Sequence, residues 1–384
     1  MLRAGAGSST ETNASAAAEE AARSALEAAG LERFDAALLF ATPHFADALP
    51  ALLEAATGRL GTEAVVGATA AGVLAGGWEL EDRPAVALLG IHGVPCHAFL
   101  IPDLRSEAAH VGEEIAARLG GPPSARDLVV VLPDPQALDP DPLLAGLRRE
   151  LGPARIVGAG AAEAASAPAL QWCGTEVASG ALAGIALRCG SEPRIGVTQA
   201  CRPATEPLVV TRVAGNWLLE LDGRPALEVF REVARGPLAD DLPRAARVVL
   251  AGIPCDPAAT LEPGTYRVRN IVGFEESRQA FAMAQRVRPG DRIALVLREP
   301  GGAKADLVEM LERMGSRPAA LGAYFNCCAR GSSLFRVPGL EVAYLERAFP
   351  GTPLVGMLGS CEFGPIGSET QLLTYTGVLA LLDA

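Results

Sequence analysis

The chain has 384 residues, of which 49% are apolar and 20% charged, and its formal net charge is −12. This composition is typical of a well-buried globular protein and excludes a largely disordered chain. The acidic balance, without any block of basic residues, argues against nucleic acid as a partner.

Location follows from what the sequence lacks. Residues 1–13 do not have the pattern of a signal peptide, and no apolar run approaches the roughly 18 residues of a membrane span. The eight cysteines lack the spacing of a disulfide framework, which is typical of reduced thiols. We therefore expect a cytoplasmic protein that does not bind membranes.

The predicted elements begin with an alanine-rich helix over residues 15–29, which ends at Gly30. Three apolar strands follow along the chain, at 35–40, 127–132 and 318–325. Each leads through a helical pattern to a second strand that contains a glycine, at 65–67, 156–158 and 354–356. Return strands follow at 85–89, 181–187 and 377–382. Three strand–helix–strand–glycine loop–strand units therefore predict an α/β (α+β) fold with mixed sheets flanked by helices.

The length favours two domains, and the pattern becomes antiparallel after about residue 195. We predict an N-terminal tail and helix over 1–30, an N-terminal domain over 31–214 and a C-terminal domain over 215–384. No flexible linker separates the two halves, so we expect them to pack closely.

The stretch 353–365 is the strongest local signal. It predicts a buried strand that stops at Gly356, followed by a loop that presents Glu362, which is the only charge between Arg347 and Glu369. We expect a ligand or partner to meet this carboxylate. The glycine-rich run 67–77 is predicted to be a loop of small residues. It lacks the lysine of a phosphate-binding loop, so we expect its glycines to allow close packing instead.

A ligand site is predicted where two loops leave equivalent strands. Arg330 offers a fork for a carboxylate and Glu362 an acceptor for an ammonium, a pair that suits an amino-acid-like zwitterion. We predict that the ligand is also contacted by the following residues: Arg269, Asn270, Cys328, Gly331, Ser360 and Cys361. The structural alternative is that Arg330 and Glu362 pair with each other or cap helices.

Vicinal Cys327 and Cys328, with Cys361, are typical of a redox sensor, a metal site or a nucleophile, but also of small buried side chains. Catalysis would need a base, and all four histidines lie in the first half of the chain. We favour the structural role and predict no catalytic residue and no metal site.

Four motifs resemble the FIST family: Asp222-Gly223-x-Pro225-Ala226-Leu227, Tyr266-x-Val268-Arg269-x-Ile271-x-Gly273, Cys328-Ala329-x-Gly331-x-x-Leu334-Phe335, and 353–356 followed by Glu362-x-Gly364-Pro365. The Phe40–Pro43 strand exit and the 66–72 loop resemble its N-terminal half. The resemblance implies a bacterial sensory module that binds a small ligand such as an amino acid. It also implies a stand-alone protein whose downstream signalling partner is another chain.

Some FIST proteins bind haem and respond to nitric oxide. This chain has no Cys-x-x-Cys-His site, and residues 371–376 contain no histidine where many family members have one. We expect no cofactor; a haem would need a ligand such as His44 or His97. The sequence thus predicts a non-catalytic sensory protein. The alternatives are a cysteine- or carboxylate-dependent enzyme, a haem or nitric oxide sensor, and an interaction scaffold.

Overall fold

A computed structural model describes residues 2–164, 167–256, 261–262 and 264–383. The chain divides into two compact units. The first unit comprises Met1–Val197, Met310–Leu372 and Thr376–Ala384, and the second comprises Thr198–Glu309 and Leu373–Tyr375. The two units are defined by which residues contact each other in the fold. The domain boundaries expected from the sequence, at 30/31 and 214/215, stay a prediction.

The first unit begins with a repeat built on a mixed sheet. Its elements are β1 (Arg3–Ser9), α1 (Ala14–Ala29), β2 (Ala36–Ala41), α2 (Leu49–Leu60), β3 (Val65–Thr69), β4 (Gly72–Ala75), β5 (Trp78–Glu81) and β6 (Val86–His92). The side chain of Asn13 caps α1 by accepting a hydrogen bond from the N–H of Ala16 at 3.0 Å. Gly30 ends the helix in the left-handed conformation, as predicted.

A second repeat has the same order of elements. It contains β7 (Cys96–Ile101), α3 (Leu104–Glu107), α4 (Val111–Arg118), β8 (Asp127–Pro133), α5 (Pro140–Leu151), β9 (Arg155–Ala159), β10 (Gln171–Cys173), β11 (Glu176–Ala178) and β12 (Leu182–Arg188). In both repeats the two central strands are parallel and the return strand is antiparallel to the first of them. This order of elements matches the strand–helix–strand–glycine loop–strand repeat predicted from the sequence.

The third repeat opens with β13 (Arg194–Gln199), after which the chain builds the second unit. That unit has strands β14 (Cys201–Pro203), β15 (Leu208–Ala214), β16 (Trp217–Leu221), β17 (Arg224–Pro225), β18 (Val249–Pro254), β19 (Tyr266–Arg269), β20 (Ile271–Glu275), β21 (Ala280–Met283) and β22 (Arg292–Arg298). Its helices are α6 (Ala226–Ala234), α7 (Pro237–Asp240) and α8 (Leu242–Ala245). A tight turn at Asp222-Gly223 joins β16 to β17, and both residues have positive φ.

The third repeat then resumes through α9 (Pro300–Met314), within which the division between units falls. It continues with β23 (Leu321–Cys327), α10 (Gly331–Phe335), α11 (Leu340–Ala348), β24 (Leu354–Gly359), β25 (Glu362–Ile366), β26 (Glu369–Leu373) and β27 (Thr376–Leu382). β23 runs parallel to β24 and antiparallel to β27, so the arrangement matches the first two repeats. The predicted mixed α/β fold is confirmed.

Each of the three repeats has a glycine where its two parallel central strands approach closely. The paired residues are Gly67 with Leu39, Gly158 with Val131, and Gly356 with Tyr324. A Cβ on these glycines would lie 1.7, 1.9 and 2.6 Å, respectively, from the carbonyl oxygen of the paired residue. The repeated glycine therefore reflects backbone contact on the inner strand pair.

The three sheets exchange hairpins in a closed cycle. Hairpin β10–β11 of the second repeat extends the sheet of the first, and β25–β26 of the third extends the sheet of the second. Hairpin β4–β5 of the first repeat extends the sheet of the third. Each sheet thus covers an open edge with chain from another repeat.

Two local predictions were wrong. The 67–77 run is not one loop, because Gly72–Ala75 forms β4. Glu362 does not lie in a loop either, because it is the first residue of β25, and β24 continues past Gly356 to Gly359. None of the helices in the described part of the chain is long and apolar enough to cross a bilayer.

Candidate functional site

The loop that leaves β23 is held by a buried ion pair. Arg330 and Glu341 have no exposed surface, and the Arg330 Nε and Nη2 atoms lie 3.0 and 2.5 Å from Glu341 Oε1. The same carboxylate accepts hydrogen bonds from the Tyr324 hydroxyl at 2.9 Å and the Asn326 amide at 2.6 Å. Burial opposes ionisation of Glu341, but the charge of Arg330 and these donors outweigh it, so the pKa of Glu341 is lowered.

Two more acids reach this loop from the hairpin that the first repeat contributes. Glu81 accepts hydrogen bonds from the Ser332 N–H at 2.9 Å and from its hydroxyl at 3.0 Å. Glu79 is 9% exposed, and its carboxyl lies beside Glu81 and Glu341. Burial, then the charge of Glu341, raises the pKa of Glu79 to about 8.

Gly331 is fixed by this arrangement. Its φ is +52°, and a Cβ there would lie 2.9 Å from a carboxylate oxygen of Glu81. Its N–H points to Glu341 Oε2 at 3.4 Å. Gly331 and Arg330, two predicted ligand contacts, thus also shape the loop from within.

Glu362 lies on a different strand and has a different partner. Its Oε2 atom accepts hydrogen bonds from the Thr376 hydroxyl at 2.6 Å and the Thr376 N–H at 3.2 Å. Its Oε1 atom is buried without a hydrogen-bond partner. Burial, then the neighbouring Cys327, raises the pKa of Glu362 well above its usual range.

The second repeat has a glutamine in the place of Glu362. Gln171 pairs with the residue after Gly67 in β3, Ala68, as Glu362 pairs with the residue after Gly158 in β9, Ala159. The Gln171 side chain accepts a hydrogen bond from the Ala181 N–H at 3.4 Å. In both repeats a side-chain oxygen therefore accepts a hydrogen bond from a backbone N–H at the start of the return strand, which is one structural reason for a polar residue here.

The cysteines near Glu362 differ in exposure. Cys327 and Cys361 are buried, whereas Cys328 is exposed. A hydrogen bond with Cys327 lowers the pKa of Cys328, and burial raises the pKa of Cys361 to about 12. Next to them, the Ser360 hydroxyl is a buried atom without a hydrogen-bond partner. Among the described residues no group of three His, Cys, Asp or Glu side chains is placed to hold a metal ion.

The remaining predicted contacts belong to the second unit. Arg269 donates to the Gln285 side chain and to the Val268 carbonyl, both at 2.8 Å. Asn270 is exposed and accepts a hydrogen bond from the Tyr375 hydroxyl at 2.5 Å. The structure thus groups Arg330 and Gly331 around Glu341, groups Ser360, Cys361, Glu362 and Cys328 around the ends of β23 and β24, and gives Arg269 and Asn270 partners of their own.

Sequence reasoning missed the acids that Arg330 and its loop contact. Glu341 resembles an ordinary acid in the first turn of a helix, where a negative charge is favourable in any case. Glu79 and Glu81 alternate with apolar residues in a strand, which predicts a solvated face. The isolated charge of Glu341 next to apolar Leu340 and Val342 was the only available signal.

The class of this protein follows from comparison with known families. The FIST N domain matches residues 35–224 and the FIST C domain matches residues 226–365. The chain therefore belongs to the FIST family, whose domains are sensory domains of signal transduction.

The relatives have no established activity. The chain is 30% identical to the uncharacterised protein Rv0628c of Mycobacterium tuberculosis, over 99% of both chains. It is 28% identical to the uncharacterised protein Mb0898c of Mycobacterium bovis, over 99% of this chain and 98% of the relative. A solved cyanuric acid hydrolase from A. caulinodans matches 49% of this chain and 70% of its own, with 13% identity and a TM-score of 0.29, a likeness that carries no argument.

Proposed function

We propose that this chain is a non-catalytic sensory protein of the bacterial cytoplasm that binds a small polar, amino-acid-like ligand beside Glu362. The observation that supports this most directly is a pair of buried oxygen atoms, Glu362 Oε1 and Ser360 Oγ, that accept no hydrogen bond from an N–H or O–H group and have only cysteine thiols beside them. The two residues are two positions apart in the sequence. They lie next to the loop of the exposed Cys328, whose N–H donates to the Gly359 carbonyl. FIST family membership supplies the sensory role.

Unpaired buried oxygens suggest what kind of ligand fits. A buried acceptor without a donor costs roughly 1–3 kcal/mol, and such groups in native proteins usually have a function or an unseen partner. A ligand that brings N–H donors, as an amino-acid ammonium does, would remove this cost. An ammonium beside Glu362 would also favour its ionised carboxylate.

In this proposal Arg330 organises the loop, because its Nε and Nη2 atoms already donate to Glu341, and the ligand binds beside Glu362 without that guanidinium. The downstream signalling partner is another chain. We expect the sensor to work without a resident cofactor, so purified protein should lack the Soret absorption that haem gives.

The test is a thermal-shift screen of the amino acids and of small amines with the wild type and Glu362→Gln. The glutamine variant is expected to fold, because Gln171 serves the same backbone contact in the second repeat. A ligand that raises the wild-type Tm should lose that effect in Glu362→Gln. Glu107→Gln removes an exposed carboxylate of α3 and is the matched control. The proposal is wrong if no compound shifts the wild type or if both variants respond equally.

The cysteine-dependent enzyme is the second candidate, and the exposed Cys328 with its lowered pKa favours it. Cys328→Ser separates the two functions. A sensor should keep its ligand-induced shift in this variant, whereas an enzyme with this nucleophile should lose turnover of its substrate.

A further inference from the structure

A polar cavity lies within the second unit, independent of the ligand site proposed above. Its volume is about 260 Å³. The cavity lies where β18 ends and β19 and β22 begin. Its lining contains Ile253, Pro254, Cys255, Arg267, Gln285, Arg286, Val287, Gly290, Asp291 and Arg292.

The charges around this cavity are not balanced. Three arginines line it, Arg267, Arg286 and Arg292, against a single acid, Asp291. The Asp291 carboxylate already accepts a hydrogen bond from the Arg288 N–H at 2.7 Å. Among the described residues that line the cavity, positive charges therefore exceed negative charges by two, in a protein whose net charge is −12.

These arginines also differ from others in the unit, such as Arg224 and Arg231, that form ion pairs. Arg224, for example, lies between two glutamates. Within the described ranges, the side chains of Arg267, Arg286 and Arg292 form no ion pair and no hydrogen bond. The Nε atom of Arg267 is buried without an acceptor. A buried donor of this kind indicates an absent acceptor.

We propose that this cavity binds a small organic dianion, specifically a short dicarboxylate. Guanidinium groups bind carboxylates through two parallel hydrogen bonds, and two uncompensated charges match two carboxylates. The apolar wall of Ile253, Pro254 and Val287 favours a ligand with a short hydrocarbon body over inorganic phosphate.

The experiment is isothermal titration of the full chain with succinate and glutarate, with acetate and inorganic phosphate as comparison anions. We expect a Kd of about 1 mM or tighter for a dicarboxylate and weaker binding of both comparison anions. Arg286→Gln and Arg292→Gln should each weaken binding by at least about tenfold. Both side chains are exposed, so the variants should keep the fold.

Arg288→Gln is the matched control, because it removes the same charge two residues from Arg286 and Arg288 does not line the cavity. It should leave the Kd unchanged. The proposal is overturned if no dicarboxylate binds at about 10 mM, if phosphate binds as tightly, or if Arg288→Gln weakens binding as much as Arg286→Gln. Glu362→Gln should bind dicarboxylates like the wild type, so this test and that of the proposed function fail independently.

Discussion

Replacing Glu79 by glutamine should change how the stability of this protein depends on pH. Glu79 is buried beside Glu341, and its pKa rises from 4.5 to about 8 on folding. Between these two values the folded chain holds a proton that the unfolded chain has released. The free energy of unfolding should therefore fall as the pH rises through this window, and the contribution of Glu79 is fully present only below the lower value.

The size of the effect follows from the shift. One pKa unit corresponds to about 1.4 kcal/mol, so from about pH 6 to about pH 7.5 the wild type should lose roughly 2 kcal/mol from this group. Glu79→Gln resembles the protonated carboxyl and does not titrate. It should match the wild type near about pH 4, below the lower of the two values, and exceed its stability by several kcal/mol near about pH 8.

Urea unfolding followed by tryptophan fluorescence at a series of pH values measures this directly. Other acids titrate in both proteins, so the informative quantity is the difference between the variant and the wild type at each pH. Glu107→Gln, at an exposed site, should show a difference near zero throughout. A Glu79→Gln difference that stays constant between about pH 5.5 and about pH 8 would refute the assignment of a shifted pKa to Glu79.

Three further predictions concern the loop, the repeated glycines and the thiols. Arg330→Ala should lower the free energy of unfolding by about 3–5 kcal/mol, because it leaves a buried carboxylate unpaired; a loss below about 1 kcal/mol in urea unfolding would contradict the buried ion pair. Gly67→Ala should lower the free energy of unfolding by more than about 3 kcal/mol, because its Cβ would meet backbone. Gly58→Ala, in open space on an exposed helix face, should raise it by about 1 kcal/mol. Equal Tm values for the two variants would count against the close approach at Gly67. Iodoacetamide at neutral pH should modify Cys328 in the folded protein and reach Cys361 only after unfolding, which peptide mass spectrometry can check.

The repeated unit could be predicted because its causes are local. Apolar strands, a crossover of suitable length and a glycine at the strand contact all leave marks in the sequence, as at Val66-Gly67 and Val157-Gly158. β1 could not be predicted, because Arg3–Ser9 is rich in glycine and serine and has little strand propensity. It forms because its glycines let the strand lie directly on α1, where a Cβ on Gly5 would be 2.0 Å from the Ala25 carbonyl oxygen.

The candidate site was only partly predictable. Arg330 and Glu362 stand out as isolated charges among small residues, and both are fully buried. Their partners were not predictable, because Glu341 comes from a helix and Glu79 from a hairpin of another repeat, and pairing between distant elements leaves no local pattern. The raised pKa of Glu362 likewise depends on burial, which its neighbours in sequence do not reveal.

The closed exchange of hairpins has a consequence for synthesis of the chain. Ala75 pairs with Val355, and Ala159 pairs with Glu362, so two edges made early must wait for strands that the ribosome delivers near the end. Until then these edges are open to pairing with other molecules, and such long-range pairing slows folding. A fragment that stops after the FIST N match should therefore aggregate when expressed alone. Most of the second unit is synthesised between these early edges and their late partner strands, so its synthesis time sets how long the edges stay exposed.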